Sequence, residues 1–305
     1  MPIKHLRYNQ IDLEKWDNCI SKSLNNFVFG YSWYLDIVTE AWEALVENDY
    51  ERVMPLPFDY KLNYQFIYQP MFAPQLGIFS TTPLNSDDII NFIDNIPQKF
   101  KKIEINLNKF NILDKPTLQL TKKTLFSIDL IESYEKISNK YSYQIKENLE
   151  SVKSQKYFIS NGIAPNEIIT FLRKNNFTQN ENNYDTIRKI ISYTLNRKFS
   201  KLYCVYDFRG NLVCITFFII SNYNVNLLIF AITNDENKSQ IISLIIDSFI
   251  NEHAEKSLTF NIEPGTFAEL PEILRGFGAQ EYFYQTININ RIPRIFRFFI
   301  RKKLS

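Results

Sequence analysis

Hydrophobic positions recur along the chain with two spacings, one typical of amphipathic helices and one typical of β-strands. In the first part of the chain, strand and helix patterns alternate with short gaps between them. The predicted elements are a strand at 3–8, helices at 12–23 and 32–42, strands at 42–49, 50–58 and 64–70, a helix at 86–96, and strands at 101–108 and 117–130.

The second part of the chain repeats this order. A helix at 134–153 connects the two parts. It is followed by a strand at 155–160, helices at 165–175 and 184–198, strands at 202–207, 211–221 and 224–233, a helix at 238–256, a strand at 257–262, a helix at 266–278 and a strand at 281–290. Matching elements are separated by roughly 155 residues, which indicates an internal repeat. We therefore expect an α/β (α+β) fold of two tandem modules, at 1–130 and 131–290, with mixed, mainly antiparallel sheets and a tail at 291–305.

Composition restricts the kind of protein. The 305 residues are 45% hydrophobic and 22% charged, with a net charge of +2, which is typical of a soluble globular chain. No apolar run reaches the roughly 18 residues of a membrane span. Because the start, MPIKHLRYNQIDLEK, lacks the apolar core of a signal peptide, we expect a cytoplasmic protein.

The residue types that carry chemistry are few. Cys19, Cys204 and Cys214 form no metal-ligand spacing, and we expect free thiols in a reducing compartment. With only His5 and His253, a histidine-rich metal site or a Ser-His-Asp triad is hard to build. We expect no metal, and chemistry carried by carboxylates, tyrosines, lysines or the backbone.

One uncharged stretch, YQPMFAPQLGIFS at 68–80, follows a predicted strand. Its two prolines cannot donate to a neighbouring strand and should end pairing there. Its amide side chains suit an amide or peptide ligand, which makes Tyr68, Gln69 and Gln75 candidate substrate-binding residues. The alternative is a loop packed on the other module, with its glutamines hydrogen-bonded to backbone.

The element order and several segments resemble the GNAT acyltransferase fold and, in tandem, the Fem-type aminoacyltransferases of peptidoglycan synthesis. The segments that carry the resemblance are WEALVENDYERVMPLPFDYK, YQPMFAPQLGIFS, YSYQIKENLESVK and LIIDSFINEHAEKSLTF. The resemblance implies that the fourth strand of each module splays from the fifth and leaves a notch for donor and acceptor. It also implies transfer of an acyl or aminoacyl group to an amine of a small-molecule, peptide or cell-envelope precursor. The alternative is a catalytically degenerate member that binds a ligand or a partner.

The same resemblance suggests roles for single residues. Lys61 would supply a cation for a phosphate or carboxylate at the notch, and its alternative is a solvated turn. Tyr143, Lys146 and Asn148 lie on the connecting helix and would serve a bound anion, unless they form a solvated face. The segment SLTFNIEPGTF departs from the acid, aromatic, acid, Gly and Ser that the resemblance implies there. Its Glu263 is the candidate general base, and the alternative is a solvated strand end.

The resemblance implies no permanently bound cofactor and two kinds of donor substrate, acyl-CoA and aminoacyl-tRNA. Coenzyme A usually needs a glycine-rich turn opening a helix, because backbone amides must approach its pyrophosphate closely. The corresponding segment, 233–243, contains no glycine, and its counterpart in the first module carries Asp87 and Asp88. This pattern disfavours coenzyme A as the donor.

The tail RIPRIFRFFIRKKLS combines apolar residues with six cations and no acid, whereas the rest of the chain is mildly acidic. Such a sequence predicts a basic amphipathic helix. It either packs its aromatic residues on the body of the protein or attaches peripherally to an anionic membrane. The six cations are Arg291, Arg294, Arg297, Arg301, Lys302 and Lys303.

Overall fold

The computed structural model describes residues 2–61, 64–114, 120–233, 237–265 and 267–292, with only the backbone of Lys61. The fold is α+β, and its sheets are mixed and mainly antiparallel, as the sequence predicts. The chain divides into two compact units, Met1–Lys123 with Phe283–Ser305 (unit 1) and Thr124–Tyr282 (unit 2).

Among the described residues of unit 1, six strands pair in the order β1-β2-β3-β4-β6-β13, with a short strand, β5, beside β3. The strand pairs are antiparallel except for the parallel pair of β4 and β6. Their bounds, with those of the helices between them, are β1 Ile3–Leu6, α1 Leu13–Lys22, α2 Ser32–Val38, β2 Trp42–Glu47, β3 Arg52–Lys61, β4 Tyr64–Ile67, β5 Phe79–Ser80, α3 Ser86–Asp94 and β6 Phe100–Asn106.

The described part of unit 2 has six strands in the order β7-β12-β11-β10-β9-β8. Its elements are β7 Leu120–Asp129, α4 Tyr134–Asn139, α5 Tyr143–Gln155, β8 Phe158–Ser160, α6 Pro165–Lys174, α7 Glu181–Asn196, β9 Ser200–Tyr206, β10 Leu212–Ile220, β11 Asn224–Ile232, α8 Lys238–His253, β12 Thr259–Ile262 and α9 Leu270–Gly276, and the chain ends its described part with β13 Gln280–Asn290. Helices α4, α5, α8 and α9 share one hydrophobic core with the sheet, whereas α7 packs on β9.

The last strand of the chain returns to unit 1. Residues Thr286 to Asn290 of β13 pair antiparallel with Asn106 to Lys102 of β6, while unit 2 closes its sheet with β7 beside β12. The sequence-based bounds assigned residues up to 290 to the second module. The structure groups residues 283–290 with the first unit instead, because β6 supplies the backbone partners of this strand.

The connecting helix predicted at 134–153 is two helices, and the prediction of one helix was wrong. Lys140 ends α4, and Ser142 starts α5 by accepting a hydrogen bond from the Ile145 N–H at 3.4 Å. The Ser142 N–H donates to the Gly276 carbonyl at 2.8 Å, so its bond goes to α9 instead of the preceding turn. The end of α9 therefore sets the point where the helix breaks.

The three cysteines are free and buried, and burial raises the pKa of Cys19 to about 11. Within the described part of the chain, no helix combines the length and apolar character needed to cross a bilayer. The predicted tail helix lies outside the described residues except for Arg291 and Ile292. The Arg291 guanidinium donates to the Ile96 and Pro97 carbonyls at 3.1 and 2.9 Å.

Thr286→Val tests how β13 is held in unit 1. The buried Thr286 hydroxyl donates to Asn106 Oδ1 at 2.7 Å, and its loss leaves that oxygen without this donor. We expect a loss of about 1–3 kcal/mol in the free energy of unfolding, measured by chemical denaturation. Thr170→Val, at an exposed position on α6, is the control and should change stability by less than about 0.5 kcal/mol. Equal effects of the two substitutions would show that the Thr286 hydroxyl does not help to hold β13 in unit 1.

Candidate functional site

The parallel pairing of β11 with β12 in unit 2 is short. Asn224, Val225 and Asn226 pair with Thr259–Asn261, while β11 itself continues to Ile232. In the described part of the chain, no pair between these strands follows Asn226. The two strands therefore leave a gap on the far side of this residue.

A β-bulge lies at the start of this gap. Phe217 pairs with Ile229 and Phe218 pairs with Leu227, so Leu228 is an extra residue on β11. A bulge leaves the extra residue outside the regular ladder and bends its strand. Leu228 lies two residues beyond Asn226, the last residue of β11 that pairs with β12.

Buried polar side chains lie beside the gap. The Ser127 hydroxyl donates to Asn261 Oδ1 at 2.8 Å, and Asn261 Nδ2 donates to Asn224 Oδ1 at 3.1 Å. Phe260 and Ile262, on either side of Asn261, belong to the core shared with α8. Since side chains alternate between the faces of a strand, this polar row lies on the opposite face.

Glu263 follows directly after Ile262, the last residue of β12. It is partly buried and lies beyond the last residue of β12 that pairs with β11. The Glu263 carboxylate therefore lies at the end of β12 that is not paired with β11.

The corresponding parallel pair of unit 1 ends in a gap that the protein fills itself. Ile67 pairs with Ile103, and the chain then leaves the sheet as the loop 68–80. Gln69 Oε1 accepts from the Asn106 N–H at 2.7 Å, and the Leu76 N–H donates to the Asn106 carbonyl at 3.1 Å. The edge of β6 therefore obtains its partners from this loop.

Other amide side chains hold the same loop. Gln75 is 1% exposed, and its Oε1 accepts from the Lys109 N–H at 3.2 Å. Asn108 Nδ2 donates to the Leu76 carbonyl at 2.7 Å, and Asn111 Oδ1 accepts from the Ile78 N–H at the same distance. Both predicted glutamines, Gln69 and Gln75, thus bond to backbone, as the alternative interpretation expected. Their partners lie in their own unit, whereas that alternative packed the loop on the other module.

The other two candidates of unit 1 lie near this loop in the sequence. Tyr68 is partly buried, and burial raises the pKa of its hydroxyl. Lys61 ends β3, where its backbone pairs with Tyr64, but its side chain lies outside the described structure.

The α5 candidates of unit 2 have different environments. Tyr143 is 76% exposed, and a hydrogen bond with Glu147 raises the pKa of its hydroxyl. Lys146 is also exposed. Asn148 is 5% exposed, donates to Ser243 Oγ at 3.0 Å and accepts from Gln144 Nε2 at 3.2 Å. Asn148 therefore fastens α5 to α8, while Tyr143 and Lys146 face solvent.

Two open cavities adjoin α5. One, of about 550 Å³, is lined by Tyr143 and Lys146 together with residues of the same helix and Gln240. The second, of about 780 Å³, lies among α5, α8 and α9 and includes Asn148, Glu269 and Arg275. Polar groups of both signs line the second cavity.

The start of α8 contains no glycine in its described part, Asn237 to Ser243. Residues 234–236 of the segment considered for coenzyme A lie outside the described structure. Asn237 occupies the N-cap position without a side-chain cap bond, and its Oδ1 accepts from Gln155 Nε2 at 3.1 Å. Ser239 donates from its hydroxyl to Glu269 Oε2 at 2.9 Å.

Each unit contains a short parallel strand pair, β4–β6 or β11–β12, and the chain matches solved structures over nearly its whole length. FemX aligns with a TM-score of 0.64 at 10% identity, covering 98% of this chain and 99% of that chain. A tandem GNAT protein from the clavulanic acid biosynthesis pathway gives 0.59 at 8% identity, with 96% and 99% covered. The chain has the tandem GNAT fold. L-PGS from Bacillus licheniformis also aligns, with a TM-score of 0.54 at 10% identity over 93% and 92% of the two chains. No protein-family profile matches the sequence, and a search of curated proteins finds no match.

In this tandem GNAT fold, β4 is the fourth strand of unit 1, and β11 is the fourth strand of the second repeat, counted from β8. The resemblance drawn from the sequence predicted a notch beside each of them. The loop 68–80 fills the notch beside β4, whereas the notch beside β11 begins at the bulge at Leu228. Among the described residues, no group of three or more His, Cys, Asp or Glu side chains is placed to hold a metal ion.

Sequence reasoning missed the polar and bulged residues of β11. In NVNLLIFAI, Asn224 and Asn226 alternate with Val225 and Leu227, and Leu228 breaks the alternation. A break of this kind is the sequence signal of a bulge. The asparagines carried no comparable signal, because the chain is rich in asparagine throughout.

Gly77→Ala tests the packing of the loop 68–80. Gly77 has φ +77°, and an added Cβ would lie 2.3 Å from Asn111 Oδ1. Gly210, with φ +78° and no atom within 4 Å of an added Cβ, is a matched control for backbone strain alone. We expect Gly77→Ala to lower the free energy of unfolding by at least about 2 kcal/mol more than Gly210→Ala, because it also disrupts the amide network. Chemical denaturation measures both, and equal losses would show that the loop is loosely packed.

Asn148→Ala and Lys146→Ala test the division of roles on α5. Removing the Asn148 amide leaves Ser243 without its donor and opens a buried space, which should cost about 1–3 kcal/mol. The exposed Lys146→Ala should change stability by less than about 0.5 kcal/mol. Thermal and chemical denaturation of the two variants are compared. Equal stability losses would contradict a structural role for Asn148 and a solvent-facing position for Lys146.

Proposed function

We propose that the protein transfers an acyl or aminoacyl group from an ester or thioester to an amine, in the gap between β11 and β12 of unit 2. The observation that supports this proposal is the bulge at Leu228, which follows directly after the last β11–β12 pair at Asn226. A strand gap of this kind offers unpaired backbone donors to a substrate carbonyl. The acceptor is an amine of a small-molecule, peptide or cell-envelope precursor, as the Fem-type resemblance implies.

The proposed reaction is a direct displacement. The amine nitrogen attacks the carbonyl carbon of the donor, a C–N bond forms, and the C–O or C–S bond of the ester or thioester breaks. Glu263 receives a proton from the attacking nitrogen and passes it to the departing oxygen or sulfur, which restores the carboxylate. The backbone N–H of Leu228 stabilises the negative charge that develops on the carbonyl oxygen. No covalent intermediate with the protein is required.

Acyl-CoA and aminoacyl-tRNA are the two donor classes of this proposal. Residues 237–243 at the start of α8 lack the glycine that close approach to a pyrophosphate usually needs. This absence disfavours coenzyme A and favours the ester of an aminoacyl-tRNA as the donor.

Tyr143 and Lys146 are proposed to contact an anionic part of the substrate. Both line the cavity of about 550 Å³ beside α5, where their exposed side chains offer a hydroxyl and a cation. Asn148 serves the same helix by fixing its position on α8.

A second candidate function is ligand binding without catalysis. It is favoured by unit 1, where Gln69 and Leu76 of the loop 68–80 occupy the edge of β6 that a substrate would otherwise meet. A protein that has filled one gap with its own chain could use the other gap for binding alone.

The test uses the full-length protein with two donors, acetyl-CoA and an alanyl-RNA minihelix, and glycinamide as the acceptor amine. Mass spectrometry detects the acylated glycinamide. We expect transfer from the alanyl-RNA, and a decrease in kcat of about 10²–10⁴-fold in Glu263→Gln, because that substitution removes the base. Glu135→Gln, at an exposed position on α4, is the matched control and should keep full activity.

Binding of a donor without transfer, detected as a rise in melting temperature, would support the binding function instead. Transfer that Glu263→Gln leaves unchanged would remove Glu263 from the proposal. If neither donor binds, both proposed functions are overturned.

A further inference from the structure

A row of side chains crosses the sheet of unit 2 at the level where the gap begins. The strand register places Ser200 opposite Ile219, Ile219 opposite Asn226, Asn226 opposite Asn261, and Asn261 opposite Ser127. Residues paired across neighbouring strands direct their side chains to the same face. Four of the five side chains in this row are polar and buried.

The polar groups of this row are not equally satisfied. Asn261 bonds with Ser127 on one side and with Asn224 on the other. Asn226 is 5% exposed, and its Nδ2 group has no hydrogen-bond partner among the described residues. A buried donor in this state has lost its hydration without gaining a partner, which costs free energy. A ligand oxygen that reaches it would recover this free energy.

The unpartnered donor lies at the vertex of the gap. Asn226 is the last residue of β11 that pairs with β12, and the bulge at Leu228 is two residues further along the strand. Val225, its neighbour, belongs to the core beneath α8, so the Asn226 side chain stands on the opposite face of the sheet. The bulge offers backbone groups in the plane of the sheet, whereas the Asn226 amide offers a donor out of that plane.

We propose that Asn226 is a specificity-determining residue whose Nδ2 group donates to a carbonyl or carboxylate oxygen of the amine acceptor. This inference rests on the proposed transferase function. An amide N–H₂ group can only donate, so its complement is an oxygen and not a second donor. The acceptors selected in this way are amines with a nearby carbonyl or carboxylate, such as an amino-acid amide or a peptide, in preference to simple alkylamines.

The first arm of the test measures stability without ligand. Asn226→Leu replaces an unpartnered amide by an apolar group of similar shape, so the free energy of unfolding should stay unchanged or rise. Asn261→Leu, in the same row, breaks bonds with Ser127 and Asn224 and should lower it. An equal loss in both variants would show that Asn226 is a structural residue and would overturn the proposal.

The second arm compares two acceptors, glycinamide and n-propylamine, in the transfer assay with alanyl-RNA. The ratio of the two kcat/KM values is compared between the wild-type protein and each variant, so the difference in protonation between the two amines cancels. We expect the preference for glycinamide to fall roughly 3- to 10-fold in Asn226→Leu, which corresponds to the loss of one hydrogen bond. The change should lie in the KM for glycinamide, with the KM for the donor unaltered. Asn226→Ala should give the same loss of preference, and it replaces Asn226→Leu in this assay if the leucine side chain disrupts folding.

The outcomes separate this proposal from the one on which it rests. An unchanged preference in an active Asn226→Leu protein overturns the role of Asn226 and leaves the transferase function standing. A wild-type protein that transfers to neither amine overturns both. A smaller preference in Asn226→Leu, with unchanged preference in the exposed control Asn222→Leu, supports the role of Asn226.

Discussion

Buried backbone N–H and C=O groups must find partners, and the two short parallel strand pairs of this protein meet that requirement differently. In unit 1, β6 continues beyond its last pair with β4 at Ile103. The loop 68–80 then supplies both a side-chain oxygen, from Gln69, and a backbone N–H, from Leu76. Amide side chains can replace a missing strand in this way because each carries a donor and an acceptor.

This substitution determines where a ligand can bind. At Asn106 the edge of β6 offers a substrate neither its backbone N–H nor its carbonyl, because both bond to the loop. In unit 2, β11 has a bulge at Leu228 beyond its last pair with β12, and the nearby Asn226 amide is unpartnered. Groups with unused hydrogen-bonding capacity are the ones that can gain by binding, so the functional proposals concern unit 2.

The sequence was sufficient for the fold because long periodic segments and a repeated order are strong signals. The strand patterns at 202–207, 211–221 and 224–233 correspond closely to β9, β10 and β11. The return of β13 to unit 1 could not be predicted, since its alternating pattern suits a closing strand in either sheet. The break between α4 and α5 was also hidden, because it depends on the carbonyl of the distant Gly276.

The candidate site was predicted less completely, for a physical reason that Asn148 and Gln69 illustrate. A polar residue in sequence does not reveal whether its partner will be a ligand or the protein itself. Asn148 proved to bond with Ser243, and Gln69 with Asn106, both far away along the chain. Asn226 gave no signal in the sequence. Its donor without a partner is visible only in the folded structure. Burial and hydrogen-bond satisfaction are properties of the folded chain, so residue types alone do not show which polar groups are left for a ligand.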